Sequence, residues 1–433
     1  MNSLLSVESI GRTYRSGDQS PFEVTKYVLD RIESDDSSIG AFVEVRRKQT
    51  LDDAIASSER FRRGSPLGLL DGIPISVKAN IATAGFRWSA GVRARSEIVA
   101  TRDSRVVSLL RRAGALVIGT TNLPPGAIGA VTRNPWTGTT RNPRDLGRDA
   151  GGSSGGAAAA VVAGMGVLAL GSDTLGSIRI PASLTGVTGF KPSRNGVNTR
   201  GLVPLAPELD TIGLLANCVQ DILITLETIT EQTTDSTEPL RPKRIGLVDT
   251  SSVQIGPDVQ EAVHSAVLQM GSCGVEVEPV HMGFSFQEAR LAGLVEVEIG
   301  AYIAHKHVFR LANSGFTPEV GKLLEYGSTI GPEQRNASQR IAQRVTENVL
   351  SAMDRFDALV TPTVPTIAPH IYEPEPSGLA DLTAFGNIAG VPAISLPLTG
   401  TTLPIGIQLI GKRGLDEQLL RHGAFIERAL NVI

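Results

Sequence analysis

Two glycine-rich turns carry hydroxyl groups that could meet a ligand at short range. One is Gly151-Gly152-Ser153-Ser154-Gly155-Gly156; the other is Gly171-Ser172-Asp173-Thr174-Leu175-Gly176-Ser177. Glycine permits positive φ and close backbone approach, so N–H groups and hydroxyls in such turns can converge on one small group. A serine placed this way suits nucleophilic acyl transfer, provided a neighbouring base takes its proton. Gly151–Gly155 formally matches G-x-S-x-G, a motif that needs a strand before it and an Asp and a His after it. The preceding residues, Asp145 to Ala150, are too polar for a buried strand. All six histidines lie at position 264 or beyond, and only His370 sits in a turn that follows a strand-like run. A histidine-based triad is therefore a poor fit. Nothing matches a dinucleotide or phosphate loop, and no His/Cys/Glu cluster has zinc spacing, so neither a cofactor nor a metal is expected. What remains is a serine served by a lysine. Lys78 ends the run Ile75-Ser76-Val77-Lys78, and its followers Ala79, Asn80, Ile81 and Ala82 carry no charge. Burial away from carboxylates would lower its pKa into the range a base needs.

The elements that must position these groups read as an alternating α/β chain. Residues 1–65 form a helical outer layer, with Ser20 as N-cap and Pro21 opening a helix whose Val24, Val28, Leu29 and Ile32 share one face. A catalytic core spans about 66–229. It holds a strand ending at Lys78, a helix from Ser104 to Arg112, a strand at Ala115–Gly119, and a loop-like stretch at 123–150 punctuated by prolines. The Ala/Gly/Val-rich segment Gly155–Leu170 reads as a buried helix and strand, since it is shorter than the ~18–20 residues of a membrane span. A polar linker is expected at about 230–243, then a C-terminal α/β portion over 244–433, with helices at 285–356, strands near 358–363, 393–397 and 405–410, and a closing helix at 415–430. The fold class is α/β: one large domain with a mixed central sheet covered by helices on both faces.

Composition narrows the function further. With 20% charged residues and a net charge of −3, no basic run supports a nucleic-acid partner. Two cysteines, Cys218 and Cys273, are too few for a disulfide framework and read as buried and structural in a reducing compartment. No leader pattern or membrane span is evident, so a cytoplasmic protein is expected.

The chain resembles the amidase signature family. The resemblance rests on Gly151–Gly156, on Gly171–Ala182 continued by Gly186-Val187-Thr188-Gly189-Phe190-Lys191-Pro192, on Gly72-Ile73-Pro74-Ile75-Ser76-Val77-Lys78, and on Asn387–Ser395 with Leu403–Leu409. It implies a Ser-Ser-Lys triad: Ser177 as nucleophile, Ser153 as the bridging serine on a cis peptide, and Lys78 as base. Ser154 is the neighbour that could be mistaken for Ser153, and it is expected among the oxyanion and substrate-binding residues. The backbone N–H groups of Thr174, Leu175, Gly176 and Ser177 would form the oxyanion hole. Leu175 departs from the family's usual glycine, which adds bulk to that turn. Ala150 departs from a usual proline. Asp173 and Arg179 would hold the loop. The implied activity is hydrolysis of a small carboxylic, ureido or carbamoyl-type amide through a Ser177 acyl-enzyme, with no cofactor, a small-molecule partner, and a homodimer allowed. The alternatives are the A subunit of a glutamine-dependent tRNA amidotransferase, for which no glutamine-clamping Tyr/Arg/Asp set stands out in the second half, and a non-catalytic scaffold. Trp88, Ala127, Ile128 and Trp136 are candidate pocket walls, as are Tyr302, Phe309 and Tyr326 from the 300–330 helices. His305 and His307 are expected on a helix surface.

Overall fold

The structure is a computed structural model and describes residues 6–232 and 236–430. One eleven-stranded mixed sheet runs through it. From edge to edge its strands are Phe42–Val45, Leu116–Thr121, Pro74–Lys78, Leu168–Asp173, Thr211–Ala216, Thr188–Lys191, Ala393–Leu398, Ile405–Ile410, Ala358–Pro362, Arg244–Val248 and Glu276–Val280. Pro74–Lys78 lies parallel to both of its neighbours. The five strands from Leu168–Asp173 to Ile405–Ile410 pair antiparallel, and the last three are parallel to one another. All five residues of Pro74–Lys78 are buried, as expected for a parallel strand covered on both faces.

Local chemistry explains the elements around it. Helix Pro21–Ile39 starts with a reciprocal box in which the Ser20 hydroxyl accepts from Glu23 N–H and Glu23 accepts from Ser20 N–H. Its Val24, Val28, Leu29 and Ile32 are buried, a gain of roughly 1.5–3 kcal/mol for each side chain fully removed from water. Helix Gly155–Val162 has seven of its eight residues buried, which only its small side chains allow.

Several expectations need correction. The helical outer layer also holds the edge strand Phe42–Val45, which pairs antiparallel with Leu116–Thr121; four residues between two helices are too short to show a period. Within 123–150, the expected loop contains two small hairpins, Arg133–Asn134 with Gly138–Thr139 and Arg141–Asn142 with Asp145–Asp149. The polar Asp145–Asp149 is thus a strand, but a partly exposed one outside the main sheet. Residues 211–230, to which the sequence assigned no element, hold strand Thr211–Ala216 and helix Val219–Thr230. Part of the linker, 233–235, lies outside the described residues. The strands beyond it join the same sheet. Cys218 is buried, Cys273 only partly so, and both are free thiols.

Candidate active site

Lys78 closes strand Pro74–Lys78, and Ser172 lies near the end of the adjacent parallel strand Leu168–Asp173. Carboxyl ends of parallel strands are where α/β sheets gather their ligands, because the chain turns away there and leaves a crevice. The Lys78 amine donates to Ser153 Oγ at 2.8 Å and to Ser172 Oγ at 3.0 Å, and Asn80 Nδ2 donates to the same Ser172 oxygen at 3.0 Å. Lys78 is 0% exposed. Burial brings its pKa down from 10.5 to about 7, against the smaller upward pull of Asp173 and Asp210. A second buried lysine, Lys191, donates its Nζ to the Pro192 carbonyl instead.

Ser153 follows a cis peptide from Gly152 and is fully buried. A β-carbon on Gly152 would come within 2.7 Å of the Val131 carbonyl, so only glycine fits there. Ser154 is equally buried and ties the two turns together: its N–H donates to the Ser177 carbonyl at 3.0 Å and its hydroxyl to the Ser172 carbonyl at 3.2 Å. That leaves no part of Ser154 facing a substrate.

The second turn is pinned at nearly every residue. Thr174 Oγ1 donates to Asp210 at 2.7 Å, and the Leu175 carbonyl accepts from Thr383 Oγ1 at 2.6 Å. Asp173 accepts from the N–H groups of Gly176 at 2.8 Å and Ile178 at 3.1 Å. Gly176 has φ +134°, and a β-carbon there would strike Thr383 Oγ1 at 2.2 Å. Arg179 grips Asp173 through two 3.1 Å contacts and also reaches the Thr383 carbonyl and Asn387. Burial pushes the Asp173 carboxyl up, but Arg179, Lys191 and Asn387 outweigh it and hold the pKa at about 2. Asp173 and Arg179 are thus the loop-holding groups the sequence suggested. One expectation changes: the Gly176 N–H is already engaged by Asp173. The N–H groups of Thr174, Leu175 and Ser177 have no acceptor among the described residues. No hydrogen bond reaches the Ser177 hydroxyl within them either.

Ser177 opens on a cavity of about 160 Å³, smaller than the ~300–1,000 Å³ typical of drug-sized ligand pockets. Ala127, Ile128, Leu175, Ile180, Leu294 and Val297 are among its apolar lining residues, and Arg290 and Glu375 supply its charges. Arg290 Nε is held by Asp381 Oδ1 at 2.6 Å, and Glu375 Oε1 accepts from Ala130 N–H at 2.7 Å. Of the expected walls, Ala127 and Ile128 are present. Trp88 is not, because its Nε1 is drawn to the Asn80 carbonyl at 3.0 Å on a different surface cleft. Trp136 is not, because it sits in the turn between Arg133–Asn134 and Gly138–Thr139. Tyr302 and Phe309 meet edge to face, and Tyr326 is exposed. His305 is buried against Phe316 rather than on a helix surface, while His307 is exposed.

Sequence reasoning missed Ser172, Asn80, Arg290 and Glu375. The first two sit beside residues it had singled out, Gly171 and Lys78. The last two are lone charges more than 100 residues downstream, with no local pattern to mark them. Among the described residues no cluster of His, Cys, Asp or Glu could hold a metal, and no helix is long and apolar enough to cross a membrane.

Comparison with known proteins fits this geometry. Residues 23–420 match the family described as Amidase. The A subunit of the glutamyl-tRNA(Gln) amidotransferase of Symbiobacterium thermophilum is 33% identical, over 96% of this chain and 95% of that protein. A crystal structure described as an amidase superposes with a TM-score of 0.92 at 29% identity, covering 98% of this chain and all of that one. The A subunit of the corresponding Thermotoga maritima amidotransferase gives 0.81 at 29% identity, over 98% and 94%. The protein is an amidase-type enzyme built as one large α/β domain, and it belongs to the Amidase family.

Proposed function

We propose that the enzyme cleaves a compact carboxylic amide through an acyl ester on Ser177, releasing ammonia or an amine. The observation that carries this reading is the 2.8 Å contact between a fully buried Lys78 amine, with a pKa near 7, and Ser153 Oγ beside the Ser177 turn. Neutral Lys78 takes the Ser153 proton, and Ser153 takes that of Ser177 as Ser177 Oγ bonds to the amide carbon. The proton then passes to the leaving nitrogen as the C–N bond breaks, and water repeats the sequence on the ester. No bond joins Ser153 Oγ to Ser177 Oγ among the described residues; such contacts commonly tighten only with substrate bound. Donors for the developing oxyanion are the N–H groups of Thr174, Leu175 and Ser177, each typically worth about 3 kcal/mol.

A second reading concerns the amide that is used. The relatives named as A subunits of glutamyl-tRNA(Gln) amidotransferases favour glutamine as ammonia donor within a complex, and they back that reading better than a free amidase. Arg290 and Glu375 on the cavity wall are groups a zwitterionic amino acid could pair with. A free amidase is supported instead by the largely aliphatic remainder of the wall and by the better superposition on a structure described as an amidase. Ser177→Ala should lower kcat by roughly 10⁴-fold or more on any accepted amide; retained turnover would remove Ser177 as nucleophile. Glutaminase activity together with a co-purifying partner protein would decide for the amidotransferase. Hydrolysis of simple alkyl amides by the chain alone would decide for the amidase.

A further inference from the structure

Leu175 is the bulky residue of the pinned turn, and it has somewhere specific to go. Its side chain lines the Ser177 cavity, is 8% exposed, and packs against Gly293 in the middle of helix Phe286–His305. A β-carbon on Gly293 would lie 2.6 Å from Leu175 Cδ2 and 3.5 Å from Cδ1. Mid-helix glycine is a poor helix former, yet here it leaves a notch that the leucine fills. The next residue on that helix, Leu294, and Val297 one turn on both line the same cavity. The leucine backbone cannot yield, because Thr383 holds its carbonyl and Asp173 holds the following N–H. An atom added at 293 must therefore be answered by the Leu175 side chain, which shares its cavity with Ser177.

We infer that Gly293, though it lines no part of the cavity, is a specificity-determining residue that acts through Leu175: the notch sets how far Leu175 intrudes on the acyl pocket. This rests on the assignment of Ser177 as nucleophile and names the class of substrate the site takes, amides with a short aliphatic acyl group. Filling the notch shortens the accepted chain, trimming Leu175 lengthens it, and once Leu175 is trimmed filling the notch has no further effect.

The test labels the purified enzyme with fluorophosphonates bearing methyl, butyl or octyl chains and follows the rate of mass gain at Ser177. Gly293→Ala should lower the octyl-to-methyl rate ratio by about tenfold, in line with the 10–200-fold effect of one methylene in a tight pocket. Leu175→Ala should raise that ratio. The double variant should stay within about threefold of Leu175→Ala, because the atoms that an alanine at 293 would meet are gone once the leucine is trimmed. An unchanged ratio in Gly293→Ala, with Ser177 still labelled, overturns the inference. If Gly293→Ala does not fold, Leu175→Ala decides alone, since it only removes atoms; an unchanged ratio there overturns it equally. Failure to label Ser177 in the wild-type enzyme would instead undo the nucleophile assignment. The two failures are therefore distinguishable.

Discussion

Lys78→Ala should lower kcat/KM by roughly 10⁴-fold if the proposed relay operates, since a positioned base contributes about 10²–10⁴-fold and the hydroxyl relay would fail with it. The pH profile carries the sharper signature. Lys78 must be neutral to accept a proton, and burial sets its pKa at about 7. The wild-type kcat/KM should therefore rise about tenfold per pH unit below about 7 and level off above it. Residual activity in the variant should lose that limb. A wild-type profile flat from pH 5 to 9 would sink the lysine as base.

The same depressed pKa makes a stability prediction of definite sign. Between about 7 and 10.5 the unfolded chain holds a proton on Lys78 that the folded one has released, so wild-type stability rises with pH across that window. Below pH 7 both states are protonated, and the folded state bears the full cost of a buried ammonium. Lys78→Met, which carries no charge, should be more stable than wild type in acid, with the gap closing toward pH 10. Urea midpoints for the two proteins at pH 6 and pH 10 measure this directly.

What the sequence disclosed followed the range of its signals. Lys78, Ser153 and Ser177 sit in short patterned stretches, and the structure brings Lys78 and Ser153 to 2.8 Å and puts Ser177 on the cavity. The helix begun by Ser20 and Pro21 was legible because a capping box is a four-residue rule. The edge strand Phe42–Val45 was not, because its identity comes from pairing with residues some 75 positions away. The cavity wall was misjudged for a related reason. Trp88 and Trp136 stood out as large aromatics near the motifs, but hydrogen bonding and a tight turn take them elsewhere. Leu294 and Val297, ordinary helix residues far downstream, form the wall instead. Leu175 was visible as a departure; that Gly293 answers it could be known only from the packing.

Arg179→Met should destabilise the enzyme by about 3–5 kcal/mol, the cost of leaving one partner of a buried ion pair alone. Arg179 and Asp173 are both 0% exposed and meet through two parallel contacts, so no water can take the guanidinium's place without opening the core. The loss should depend on pH. In the wild type the Asp173 pKa of about 2 lies below the ordinary 3.8, so its charge stabilises the fold above about pH 4, and that contribution fades as pH falls toward 2. Without Arg179 the largest force opposing burial is gone, and the carboxyl should be raised instead. A raised carboxyl reverses the sign: the variant should grow less stable as pH rises through the carboxylate range, so its deficit against wild type is smaller at pH 5 than at pH 8. Activity should fall with it, because the Asp173 carboxylate that accepts from Gly176 and Ile178 N–H sets the shape of the turn beneath Ser177. Urea midpoints at the two pH values, read beside kcat, separate this from simple loss of packing, which would give the same deficit at both. An equal deficit at pH 5 and pH 8 would mean that Arg179 contributes packing and does not hold the Asp173 charge.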